Sequence, residues 1–166
     1  RTTLTVGYSV PVASGVHGQV VSFCDGSDVT VSLFADGSAE SKYTVSVPGG
    51  TKDSSGQYTT TYDIPEVAPG TYTMQVSKNK HVTREYTVTV SGDVKTQDAK
   101  IHLMGDINGD GRISIGDINK ANLHAKGKKI LLGYELACAD INGDGRVTTS
   151  DVNKMNLHNK GKSLLW

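Results

Sequence analysis

Apolar and polar residues alternate along much of the first hundred positions, and breaks rich in Gly, Pro, Asp and Ser divide that alternation into short runs. Val20 to Phe23, Val29 to Phe34, Tyr43 to Val47, Tyr58 to Ile64, Thr71 to Val76, Glu85 to Val90 and Lys100 to Leu103 each read as a strand, and Leu4 to Val12 adds another. After the Pro69-Gly70 turn, Tyr72, Met74 and Val76 fall on one face. Such spacing predicts one antiparallel β-sandwich. Further along the period changes. At 100° per residue, Ile118, Ala121 and Ala125 share a stripe, and Val152 and Met155 occupy the matching stripe of a later segment. The chain therefore reads as α+β with two domains, a sandwich over 1–103 and a small all-α module over 104–166. Ser91-Gly92-Asp93 is a turn rather than a linker, so the two are expected to form a rigid pair.

The strongest signal is a repeat. Asp106-Ile107-Asn108-Gly109-Asp110-Gly111-Arg112 recurs letter for letter as Asp140-Ile141-Asn142-Gly143-Asp144-Gly145-Arg146, and each copy runs on to an acid, Asp117 or Asp151. Calcium takes six to eight oxygen ligands, and a twelve-residue loop offers them from positions 1, 3, 5, 7, 9 and 12, with glycine at 6 for the sharp turn. Those positions are Asp106, Asn108, Asp110, the Arg112 carbonyl, Ser114 and Asp117 in the first loop. In the second they are Asp140, Asn142, Asp144, the Arg146 carbonyl, Thr148 and Asp151. Without a cation the three carboxylates of each loop would repel one another. A polar Asn-Gly or Asp-Gly turn is the plain alternative, and two aligned copies argue against it.

Ser114-x-x-Asp117 and Thr148-x-x-Asp151 carry the hydroxyl-then-acid pattern of a helix start, so each loop leads into a helix. An EF-hand brackets its loop with two helices, whereas Lys100 to Gly105 alternates like a strand and leaves the first loop without an entering helix. Leu123 and Leu157 lie about 140° round their helices from Ile118 and Val152, away from the core stripe, amid polar residues. An apolar residue with a polar rim is how a binding face is built. The alternative is that both leucines pack on the connecting segment or the sandwich.

In its duplicated calcium loops, aspartate at position 12 and single following helix, the segment from Met104 to Trp166 resembles a dockerin, the plug module of cellulosomes. The resemblance implies two EF-hand-like sites each holding one Ca²⁺. It also implies a cohesin partner on a scaffold or anchoring protein and an extracellular assembly that degrades polysaccharide. Carried onto this chain, the partner-reading positions are Ile115, Gly116, Asn122, Leu123 and Gly127 in the first copy and Thr149, Ser150, Asn156, Leu157 and Gly161 in the second. The polar rim adds Asn119 and Lys126, and Asn153 and Lys160. Ile115-Gly116 departs from the hydroxyl pair Thr149-Ser150, which predicts one dominant helix rather than two equal binding orientations.

The sandwich resembles immunoglobulin-like and carboxypeptidase-regulatory-like domains, and in this position the X module found beside some dockerins. That resemblance implies a role in stabilising the dockerin. A competing role is sugar binding through Tyr8, Tyr43, Tyr58, Tyr62, Tyr72 or Tyr86, although tyrosines on strands more often pack into the core or pair across strands.

Charge then describes the partner. The chain has no formal net charge, but the acids after Ala99 are spent on the loops except for Glu135, so with metal bound Lys120, Lys126, Lys128, Lys129, Lys154, Lys160 and Lys162 leave a basic surface. An acidic partner face suits it. Nucleic acid is disfavoured because no reader motif is present. Cys24 and Cys138 fall in different modules, and two buried free thiols are expected rather than a bridge. Trp166 is expected to clasp the start of the helical module. No HExxH or GxSxG accompanies His124 and His158, so catalysis is not expected here. No apolar run is long enough to span a membrane. Opening at Arg1, the chain reads as the C-terminal piece of a longer secreted protein.

Overall fold

The computed structural model describes residues 14–166, so the strand expected over Leu4 to Val12, with Tyr8, lies outside the described residues. Among the described residues nine strands form two sheets. One has the order β4-β5-β1-β8, from β4 (Thr51–Lys52), β5 (Tyr58–Pro65), β1 (Gly15–Ser22) and β8 (Val94–Thr96), with β9 (Ala99–Lys100) also on β1. The other has the order β3-β2-β6-β7, from β3 (Tyr43–Val47), β2 (Val29–Ala35), β6 (Gly70–Lys78) and β7 (Arg84–Val90). β1 runs antiparallel to β5 but parallel to β8 and β9. The alternation does what period two requires, since Tyr72, Met74 and Val76 point inward from β6 while Val29, Val31 and Leu33 meet them from β2. Val16, Val20, Tyr62, Ile64, Val88 and Val90 close the same core.

The strand expected over Lys100 to Leu103 is shorter than its pattern. Only Ala99–Lys100 pairs with β1, and Leu103 makes a lone bridge to His81. Ile101 is drawn into the sandwich core while Leu103 is buried in neither main core, so the alternation reflects two destinations rather than one sheet.

The remainder is helical: α1 (Ile115–Ala125), α2 (Gly133–Ala139) and α3 (Thr149–Asn159). Its core is separate, built from Ile107, Ile113, Ile118, Ala121, Leu131, Cys138, Val147, Val152 and Met155. Ala125 departs from its expected stripe and is exposed, because the helix ends there and turns away at Lys126 and Gly127. The helix α2, which enters the second loop, was not expected; its seven residues are too short for a periodic signal.

The modules meet without a linker. Val82 N–H donates to the His102 carbonyl at 2.9 Å, and Met104 N–H to that of Lys80 at 3.2 Å. The Tyr134 hydroxyl of α2 accepts from His102 N–H at 2.9 Å and donates to the Val82 carbonyl at 2.6 Å. Arg84 from β7 lies over the Tyr134 ring at 4.5 Å. The C-terminal clasp also forms: Trp166 Nε1–H donates to the Met104 carbonyl at 3.1 Å, and its ring lies against His158.

Candidate metal loops and interaction face

Each loop is wound around its first aspartate. Asp106 Oδ1 accepts from the N–H groups of Gly109 and Asp110 and Oδ2 from that of Gly111; Asp140 receives the same three from Gly143, Asp144 and Gly145. At the other end Asp117 Oδ1 accepts from Ile107 and Asn108 N–H, and its Oδ2 from both the N–H and the hydroxyl of Ser114. Asp151 repeats this with Ile141, Asn142 and Thr148. The position-12 aspartate thus ties the loop's start to the helix it begins, as capping partner of Ser114 or Thr148. Asp117 and Asp151 are fully buried.

In the first loop Asp106, Asp110 and Asp117 each bring a carboxylate oxygen within 4.8 Å of the others, the one such convergence of acids among the described residues. Burial pushes the Asp106 carboxyl up to about 6 despite three N–H donors, with the Asp117 charge adding to the shift. Burial would raise Asp151 too, but the N–H and hydroxyl donors of Thr148, with Asn142 and Ile141, outweigh it and hold that carboxyl below its usual value. The nearest cation to the first trio is Arg112, whose pair with Asp110 is 3.9 Å long and lies at the surface. A cluster of hard oxygens with so little counter-charge fits Ca²⁺ and offers nothing to a thiophilic metal.

Of the residues singled out for partner reading, Ile115, Gly116, Asn119, Leu123, Lys126 and Gly127 are exposed on the first repeat, as are Thr149, Ser150, Asn153, Leu157, Lys160 and Gly161 on the second. Leu123 is 37 % and Leu157 41 % exposed, so neither packs away under the sandwich. Asn122 and Asn156 are half-buried, and the Asn156 amide donates to the Val152 carbonyl at 3.0 Å.

Three features were not legible in the sequence. The duplicated histidines serve the fold: His124 Nδ1 accepts from Leu131 N–H and His158 Nδ1 from Leu165 N–H, each folding the chain back after its helix. Ile130 and Leu164 stand exposed at matching places of the repeat, just beyond those turns. The duplication of His124 and His158 was the signal for both. Cys24 is exposed and Cys138 buried, so only one of the two thiols lies where both were expected; both are free. Burial pushes the Cys138 thiol up to about 12.

The sandwich tyrosines are committed elsewhere. Tyr62 and Tyr72 are buried, Tyr43 packs edge-on against Tyr72, Tyr86 accepts from Lys100 N–H, and Tyr58 lies under Lys78. Tyr43, Tyr58 and Tyr86 are only partly exposed.

No curated protein matches the chain. Similar solved structures include two interface mutants, N-terminal and C-terminal, of a type II cohesin–X-dockerin complex from Acetivibrio cellulolyticus. They are 20 % and 19 % identical, with 87 % of this chain and 94 % of theirs covered and a TM-score of 0.36 in both cases. The sequence model of the dockerin type I domain matches residues 104–158, which span both loops, α1, α2 and all but the last residue of α3. The part of this chain that carries the duplicated loops is a dockerin type I domain, a non-catalytic assembly module.

Proposed function

We propose that the chain is a calcium-dependent adaptor whose dockerin plugs into a cohesin, anchoring its parent protein in an extracellular, cellulosome-type complex that degrades polysaccharide. Residues 1–103 act as an X-module-like buttress and 104–166 as the plug. One observation carries this reading: in each repeat the last aspartate of the loop, Asp117 or Asp151, caps the start of a helix whose outward face leaves a leucine, Leu123 or Leu157, open to solvent.

Two Ca²⁺ ions would be held by Asp106, Asn108, Asp110, Arg112 carbonyl, Ser114 and Asp117, and by Asp140, Asn142, Asp144, Arg146 carbonyl, Thr148 and Asp151. When bound, the ion supplies the positive charge that lets the three carboxylates of a loop converge. The residues do the rest: Asp117 and Asp151 join loop to helix, and α1 and α3 present Leu123 and Leu157 within their asparagine and lysine rims. Segments 118–132 and 152–166 contain no acid, which favours a partner whose face has an apolar centre and an acidic edge.

Ile115 is 68 % exposed where the second repeat has Thr149, so the two faces are not equivalent and one should dominate. The test is a panel of cohesins titrated with the chain, with and without a chelator. Binding to at least one in calcium, lost on chelation, is expected; no binding to any, or binding indifferent to chelator, defeats the reading. Leu123→Ala and Leu157→Ala should then lower affinity unequally, and equal losses would argue for two orientations.

A further inference from the structure

The two loops are identical over seven positions, yet their surroundings are not. A Cβ built on Gly111 would come within 2.6 Å of the Phe23 ring, and one on Gly109 would collide with the His102 ring. At Gly145 and Gly143, the matching glycines of the second loop, nothing lies within 4 Å. All four have positive φ, between 72° and 89°, so the backbone demand is shared and only the packing differs. Asp106 is fully buried while Asp140 is partly exposed.

Phe23 and His102 are themselves held in place. Phe23 is 2 % exposed yet belongs to neither the sandwich core nor the helical core; it is a plug between them. Its N–H donates to His81 Nε2 at 3.0 Å, and its carbonyl accepts from the buried Lys78 ammonium at 3.2 Å. Lys78 also donates to the Asp25 carbonyl and the Ser22 hydroxyl, bracing the turn in which Cys24 takes a left-handed φ of 74°. Sandwich residues thus fix Phe23 on both sides of its Cα. His102 is pinned through its N–H to Tyr134 and its carbonyl to Val82, with its ring edge-on to Tyr134.

We propose that Phe23 and His102 are positioning residues of the first calcium loop, packing on its inner glycines so that the loop is preformed by the sandwich. The first site then binds calcium more tightly than the second and shares its binding free energy with the sandwich. The second loop depends on its own hydrogen bonds. Groups that orient a metal's ligands without touching the ion commonly change affinity by about 10–100-fold when removed, and linkage makes the coupling reciprocal.

The inference rests on the calcium reading of the loops, and one experiment separates the two. In the full chain the Gly111 and Gly145 amide resonances, followed by NMR during a calcium titration, report each site. In the unaltered chain Gly111 should respond at lower calcium than Gly145. Phe23→Ala should move the Gly111 midpoint to higher calcium by about tenfold and leave the Gly145 midpoint in place, and Phe23→Leu should restore most of the difference. Unchanged Val31 and Met74 resonances establish that the sandwich is still folded; if Phe23→Ala disturbs them, the milder Phe23→Leu and His102→Gln decide by the same two midpoints. Equal movement of both midpoints, or of neither, overturns the proposal while leaving calcium binding intact. Silence at both glycines in the unaltered chain overturns the calcium reading and this inference together.

Discussion

The sandwich buries Val16, Val31, Leu33, Met74 and Val88 between two sheets. The dockerin encloses fewer and smaller apolar side chains, and places three fully buried carboxylates, Asp106, Asp117 and Asp151, among them. A buried carboxylate costs stability unless it is paired or bound to a cation, so one module carries its stability in apolar contact, and under the proposed function the other would draw much of its stability from an ion. In small domains with little core, metal binding is folding free energy.

Removing calcium should therefore divide the molecule most sharply. With a chelator the helical circular dichroism of α1 and α3 is expected to collapse while the sandwich retains its own later melting transition. An undiminished helical signal would mean that the dockerin core suffices alone.

Core truncation should respect the same division. Met155→Ala and Leu33→Ala each delete a fully buried side chain and should cost about 2–5 kcal/mol. In calorimetry the first should lower only the dockerin transition and the second chiefly the sandwich's. If either moves both transitions equally, the two cores behave as one cooperative unit.

Tyr134→Phe tests the seam. It removes a hydroxyl that accepts from His102 and donates to Val82 and should cost about 1–3 kcal/mol, because a buried N–H and a carbonyl lose their partner. The two transitions should move apart in temperature; a variant melting like the parent would show that this bridge contributes nothing.

Acid should loosen the seam by a smaller amount. Burial holds His81 down to about 4 and His102 likewise, against 6.5 when exposed. Both are neutral in the folded chain, so their contribution is complete above pH 6.5 and is lost as pH falls from there towards 4. His81→Gln should be less stable than the parent at pH 7, and the gap should shrink by on the order of 1 kcal/mol by pH 4.5. A gap that stays constant across that range would show that His81 titrates normally.

Most strands were legible because inward and outward faces alternate residue by residue, a local signal. The boundaries at Gly15 and Gly70, and the short pairings β4 and β8, were not, since they depend on which neighbour arrives alongside. The helix stripe failed at Ala125, where the chain leaves the helix before the period can bury it. His124 and His158 were visible as a duplication but not as acceptors, because their donors, Leu131 and Leu165, lie beyond the helix in a turn with no strong signature.

Sequence alone determined the repeated carboxylate pattern of the two loops, the helix starts and the outward leucines, because each lies within a dozen residues of chain whose geometry the residues themselves dictate. Tertiary structure alone decided that the loops differ. Identical segments can be told apart only by what the rest of the chain places against them, and here Phe23 and His102 cover Gly111 and Gly109 while Gly145 and Gly143 face open space.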